Sequence, residues 1–565
     1  MIEPTLSARE GAPGSGRRFA LGLVAAALIL YAPGLFWGLP YATAPDRIFP
    51  WGSDELAPLG PLAQLYHVVL HGGAAFDPRY PLLPYAIQAM FIAPALIWLR
   101  LTGGLEGFEV TFPYGLEDPA SALALMTLFA RLSSLFMMAA VPVVAWHAAR
   151  KLWDARTAAF AAICVLLLYP SFYYSRTSNV DAGSVLWTSL GLLVFASVLR
   201  DGLTRRRAAG LGVFAALAIA TKDQSYAVFL TLGVAVAALH ARAEARRGWR
   251  AVVVPLLTGL LTALGVYAVA SGVLFHPAAF ARHIEFILFH PGGTSGRSYF
   301  STPATPAGYL QLSLGFVALL VDCMGWPMSI AAAGGLLVSA RKSPRTLLVA
   351  LPVFAILLGI IVPVRFIRIR FLLSAAWVLA LFAGAGLSAL FAGHNAAPSG
   401  GRGRTRLAWA VLLVVIAWSL LRGADLTWQM RNDSRHQLEA WLRDNARSGD
   451  RVGYYGAPLK LPPLAPGIIS EHGPYADGRG APAHWPEFIV IIPQQIFEIE
   501  HEWNLSEEHY AQLKSGDWPY QHWLAVQGSR LFDRRPIHWV NPPVRLFVRR
   551  DVQGRLSDRP RLELD

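Results

Sequence analysis

The chain has 565 residues, 54% of them hydrophobic and only 15% charged, with a mean hydropathy of +0.41. A water-soluble protein of this length cannot hide that much apolar surface, whereas a polytopic membrane protein needs it. The net charge of +13 suggests nucleic acid, but the cations sit in short loops between apolar runs, which is the positive-inside pattern of membrane topology, so no nucleic-acid partner is expected.

Residues 1–18 are polar and end in Arg17-Arg18, which predicts a cytoplasmic N-terminus. Phe19 to about Leu39 is long enough to cross a bilayer once. It lacks a convincing cleavage site and is read as a retained span. The outer loop that follows, 41–81, contains Trp51-Gly52-Ser53-Asp54-Glu55-Leu56, two adjacent carboxylates in a loop otherwise nearly free of acids until Asp77. From the residues alone, either they serve as a base for a lipid-borne substrate, or Ser53 caps an amphipathic helix whose positive end they favour. His67 and His71 have i,i+4 spacing but no supporting acid motif and read as interfacial. Residues 82–103 are apolar yet hold Pro84, Pro94 and Arg100, and read as a helix lying in or dipping into the outer interface.

From Ala124 onward apolar runs alternate with basic loops. Arg150, Lys151 and Arg156 mark one inner turn, Arg205 to Arg207 the next, then Arg242 to Arg250, then Arg341, Lys342 and Arg345, and last Arg402 to Arg406. Between them lie outer loops at Pro170–Asp181, at Thr221-Lys222-Asp223-Gln224 and at about 275–306. The count is about eleven spans, ending near Leu421. Arg365, Arg368 and Arg370 fall outside, against the bias, and either meet an anionic partner or snorkel to headgroups. Cys164 and Cys323 lie in or beside apolar segments and define no disulfide framework or metal site. After Asp425 the composition changes: a helix-like run, Ser434–Asn445, and strand-like runs at Arg451–Tyr455, Phe488–Ile492 and Val544–Val548 predict a small outer α/β domain.

Several short motifs in this order resemble the polyprenyl-phosphate-sugar-dependent glycosyltransferases of the GT-C fold, the protein O-mannosyltransferase and aminoarabinose transferase type. They are Asp54-Glu55, Arg79-Tyr80-Pro81-Leu82-Leu83-Pro84, Arg176 through Asp181, Ala220-Thr221-Lys222, Arg370-Phe371-Leu372-Leu373, and Asp433-Ser434-Arg435 with Trp441-Leu442 and Asn445. The family often has Lys or His where Tyr80 stands, and Tyr and Pro in place of Phe371 and Ser374. The resemblance implies an all-α polytopic membrane protein with interfacial helices and a small C-terminal α/β domain outside. Residues 1–425 would form the transferase domain and 426–565 the extracytoplasmic one, in the plasma (inner) membrane.

The expected reaction moves a sugar from a polyprenyl-phosphate donor to a hydroxyl or amine of a lipid, glycan or protein acceptor, with inversion. The leaving phosphate departs as an anion, so positive charge can replace a general acid, while the incoming group needs a base. The family pattern gives that base as Asp54, with Glu55 positioning the acceptor or a neighbour. Arg79, Lys222, Arg282, Arg297 and Arg370 are candidates for the phosphate, arginine for its bidentate fork. Asp181 is a candidate for sugar hydroxyls or for holding an arginine, its plainer reading being a helix cap; Lys222 beside Asp223 has an ion pair as its plainer reading. No cofactor follows, although His283, Glu285 and His290 are weak candidates for a divalent metal, on a stretch that Pro277 and Pro291 set against a continuous helix. The competing function is a transporter or flippase of a lipid-linked or anionic solute. Such a protein should carry ionisable groups at mid-membrane and repeated halves, neither of which is legible here.

Overall fold

The computed structural model describes residues 13–56, 58–70, 79–289, 300–392, 401–455, 461–473, 485–493, 496–497, 505–532 and 536–556. They fall into two compact units. The first comprises Met1–Pro33, Gly60–Met90 and Arg131–Ala424; the second comprises Gly34–Leu59, Phe91–Ala130 and Asp425–Asp565.

Long apolar helices dominate the chain, and among the described residues nine helices are long and apolar enough to cross a membrane. The apolar run near residue 90 is one helix, Leu82–Leu101, continuous through Pro94 and among those nine, although the sequence reading laid it in the interface. Conversely, Ala155–Leu166 has only 12 residues. The chain breaks at Gly325: helix Pro306–Met324 ends there, Gly325 takes φ +79, and helix Trp326–Lys342 begins. A residue with a Cβ would be strained at that angle.

In the first unit, helices Trp326–Lys342 and Leu373–Ala392 approach through small residues. A Cβ on Gly335 would lie 1.8 Å from the Phe382 carbonyl oxygen, and one on Gly386 2.0 Å from that of Ala331. Between apolar helices in lipid, such close backbone approach replaces the hydrophobic drive that water would supply. Arg176, fully buried, ties down a helix end: its Nε donates to Tyr31 O and its Nη2 to Leu30 O, both at 2.8 Å, at the C-terminus of helix Pro13–Tyr31. A cation there satisfies orphaned carbonyls and the negative end of the dipole.

The second unit contains a five-stranded sheet formed by β1 (Arg451–Tyr454), β2 (Ile469–His472), β3 (Phe488–Ile491), β6 (Tyr520–Val526) and β7 (Val544–Arg549), with β4 (Ile496–Phe497) and β5 (Leu505–Ser506) as a separate pair. Strand order is β2-β1-β3-β7-β6, parallel among β2, β1 and β3 and antiparallel onward. Alternation sorts the core as a period of two requires. Phe488, Val490, Leu546 and Val548 pack with Leu438 and Leu442 of helix Ser434–Asn445, while Ile489, Ile491 and Phe547 pack with Leu513 and Trp518.

Candidate active site

In the first unit three of the expected site residues meet. Asp181 opens helix Asp181–Asp201, Lys222 ends helix Arg205–Thr221 as its C-cap, and Arg370 lies in the short turn Ile369–Phe371. Lys222 Nζ donates to Asp181 Oδ1 at 2.5 Å and also to the Arg370 carbonyl at 3.3 Å. Arg370 Nη2 is 3.1 Å from Asp181 Oδ2 and donates to the Tyr80 hydroxyl at 3.2 Å. The side chains of Asp181, Lys222 and Arg370 are only 1%, 8% and 12% exposed, so their attraction is screened far less than on a surface.

The plainer readings of these residues do not hold. Asp181 does not cap its helix, whose cap position is Val180 with no side-chain bond. Lys222 pairs with Asp181, and its sequence neighbour Asp223 instead contacts His283 Nε2 at 3.2 Å. Of Arg365, Arg368 and Arg370, the last alone reaches this cluster among the described residues. Arg365 donates to Thr302 O and lies over the Phe300 ring, and Arg368 lies over Phe366.

A pocket opens at the cluster, lined by Asp181, Lys222 and Arg370 with Ser184, Gln224, Ser225, Ser374 and Phe371 as well as Val185, Val228, Ile356, Ile360 and Leu373. It holds about 340 Å³ of empty space, its mouth included. One wall is a π-helical turn, Leu357–Ile361, whose Gly359 carbonyl accepts from Tyr226; such turns are rare and frequent at functional sites. Two cations stand against one carboxylate, so the lining is net positive and suits an anion. Among the described residues Gln224 Oε1 is a buried acceptor with no hydrogen-bond donor, and Asp181 Oδ2, equally buried, has only its ion pair with Arg370. Unsatisfied buried acceptors are costly in a finished core and reasonable in a site that receives hydroxyl donors. Sequence reasoning missed Gln224, Ser184 and Ser225, and noted Tyr80 and Ser374 only as departures. Tyr80 meets its partner across 290 positions, which no local pattern signals.

Asp54 and Glu55 belong to the second unit. Ser53 and Asp54 form a turn, Asp54 exposed with φ +60, and the next helix starts only at Gly60. The helix-cap reading of Ser53 and its acids is therefore corrected, because there is no helix end for them to cap. The turn is tight: Glu55 N donates to Gly52 O at 3.4 Å, and a Cβ on Gly52 would lie 1.9 Å from Glu55 Oε1.

Among the other candidates, Arg79 is exposed at the chain's entry to helix Leu82–Leu101, and Arg282 lies half-buried on helix Pro277–Phe289. That helix does form after Pro277, and it carries His283 inward and Glu285 to solvent. Arg297, His290, His71 and Asp77 lie outside the described residues. Among the described residues no group of three His, Cys, Asp or Glu could hold a metal.

Residues 126–271 match the family model of dolichyl-phosphate-mannose-protein mannosyltransferase, which bears out the resemblance over the stretch that supplies Asp181 and Lys222. No curated protein matches the sequence. Among solved structures, ArnT of Cupriavidus metallidurans in the apo state is 13% identical, covering 96% of this chain and 100% of its own, with a TM-score of 0.47. The same protein bound to undecaprenyl phosphate is 14% identical over 94% of this chain and 98% of its own, with a TM-score of 0.45. An Archaeoglobus fulgidus oligosaccharyltransferase tethered with an acceptor peptide is 12% identical over 80% of this chain, with a TM-score of 0.41; the match spans 63% of that protein's length.

Proposed function

We propose that the chain is an integral membrane glycosyltransferase that takes a sugar from a polyprenyl-phosphate donor and passes it, with inversion, to an acceptor hydroxyl or amine on the outer face. The observation that carries this reading is the convergence of Asp181, Lys222, Arg370 and Tyr80, from four separate stretches, on one buried net-positive cluster.

A phosphodiester donor carries a single negative charge, and breaking its bond to the anomeric carbon leaves a phosphate monoester carrying up to two. Lys222 and Arg370 supply fixed positive charge where that second charge develops, so their attraction grows along the reaction and no general acid is needed. Asp181 holds both cations in place and offers Oδ2, with Gln224 Oε1, to sugar hydroxyls. The acceptor oxygen or nitrogen attacks the anomeric carbon from the face opposite the phosphate, and its proton goes to the Asp54 carboxylate. Glu55, folded over Gly52, holds the turn that carries this base. In this reading the N-terminus is cytoplasmic and the C-terminal domain lies outside, which single-cysteine labelling at positions 205 and 470 tests.

The deciding experiment incubates the purified protein with radiolabelled polyprenyl-phosphate sugars of several kinds and resolves the lipid products. Release of polyprenyl phosphate with label on an acceptor supports transfer. Movement of an intact lipid-linked sugar between leaflets of proteoliposomes, without cleavage, would instead establish the transporter.

A further inference from the structure

We propose that the C-terminal domain is the seat on which the turn carrying Asp54 is held, with Arg435 and Trp51 as positioning residues for that carboxylate. This rests on the reading of Asp54 as the base and gives the C-terminal domain a task in the reaction.

The contacts run in an unbroken series. Asp433 is buried and accepts from Arg435 Nε at 2.9 Å, Arg435 Nη2 at 2.9 Å, Trp37 Nε1 at 3.0 Å and the Asn541 backbone at 2.8 Å. So fixed, the Arg435 guanidinium lies 4.0 Å from the Trp51 ring centroid and 5.6 Å from that of Trp37. Trp51 is itself buried, has the His436 ring 4.8 Å away, and its backbone donates to Gly38 O at 2.8 Å. Gly38 has φ +54, and a Cβ there would lie 2.4 Å from that of Trp51, so glycine is what lets the two arms of the loop close. Asp54 follows Trp51 by three residues inside the tight turn.

A second anchor lies a few residues upstream. Arg47 donates to the carbonyls of Leu464 and Ile468 and to Ser470 Oγ, and Ser470 donates to Asp46. Ser470 is in β2 and Leu464 and Ile468 precede it. The loop is thus pinned to the domain at two places, by a desolvated cation–π stack and by a guanidinium fork, both rigid devices. A carboxylate that must meet an incoming nucleophile gains from such a mount, because small misplacement at a distance is costly in rate.

The test uses the full-length protein in nanodiscs with three variants, Trp51→Leu, Trp51→Phe and Arg47→Gln. Hydrogen exchange of residues 48–56 is measured without substrate, beside donor affinity and single-turnover transfer. Trp51→Leu is expected to speed exchange in that segment by on the order of tenfold while β1 and β3 stay protected. Its transfer rate should fall by roughly ten- to a hundredfold at unchanged donor affinity. Trp51→Phe keeps an aromatic face for Arg435 and should recover most of the rate. Unchanged exchange, or faster exchange at an undiminished transfer rate, overturns the proposal. If Trp51→Leu does not fold, Arg47→Gln carries the same two outcomes. An Asp54→Asn control that transfers normally removes the base reading, while the exchange data still judge the seat.

Discussion

Replacing Arg370 with alanine removes one of the two cations that face Asp181, and the structure limits what else it can do. Arg370 Nη2 is 3.1 Å from Asp181 Oδ2, but Lys222 Nζ remains at 2.5 Å from Oδ1. Losing one partner of a buried pair costs about 3–5 kcal/mol when the other charge is stranded. Here the carboxylate keeps Lys222, so the loss in folding stability should stay well below that range. A donor phosphate, in contrast, loses a charge-assisted contact of about 1.5–3 kcal/mol, roughly ten- to 150-fold in affinity. Arg370→Lys restores the charge without the fork and should recover the affinity only in part. Arg365→Ala is the internal control, since Arg365 is engaged with Thr302 and Phe300 and should leave donor binding alone. Titration calorimetry with a polyprenyl phosphate, run beside thermal melting of each variant, separates these effects. Equal affinity for Arg370→Ala and Arg365→Ala would refute the assignment and leave Arg370 as a structural partner of Asp181.

Asp181→Asn should weaken transfer more than donor binding, because the cations stay but lose their alignment; a variant with unchanged single-turnover rate would show that Asp181 is only structural. Gly335→Val should destabilise the first unit by about 1–3 kcal/mol or more, because its side chain meets the Phe382 backbone; a melting curve that matches the parent's would mean that the two helices part more easily than their packing indicates.

The helical membrane architecture was readable from the sequence because it rests on composition and on the period of apolar runs. So were several elements of the C-terminal domain: β1, β3 and β7 fall where the sequence puts them, and helix Ser434–Asn445 has the expected bounds. β2 escaped because Ile-Ser-Glu-His is a polar edge strand. β6 escaped because Gln521 and His522 break its apolar alternation, with a register shift between His522 and Leu524. At the candidate site, a charge where an apolar run ends is visible as an oddity, which is how Asp181, Lys222 and Arg370 stood out. Their pairing is not visible, since Lys222 passes over the adjacent Asp223 for a carboxylate 41 positions away. Gln224 and the serines could not be singled out, because a neutral polar residue near a span end is unremarkable until the pocket around it is known.

The turn geometry at Asp54 sharpens what its replacement can reveal. With no helix to cap, the competing explanation for an aspartate there is its backbone: φ +60 is a region that Gly, Asn and Asp enter more readily than other residues. Asn adopts that conformation at least as readily as Asp, and is close in shape. Asp54→Asn should therefore leave the turn, the fold and donor binding intact on either reading. The two readings differ only in chemistry. If Asp54 takes the acceptor proton, an amide cannot replace it, and single-turnover transfer should fall by on the order of a hundredfold to ten-thousandfold. If the residue is there for its backbone, transfer should be unchanged and Asp54→Gly should be tolerated equally well. Glu55→Gln should be milder, since it removes charge from a side chain whose carboxyl lies against Gly52 within the turn. Transfer rates of the three variants, each set beside its melting temperature, decide between a base and a turn residue. Full activity in Asp54→Asn would leave Asp54 as no more than the residue that fits this turn.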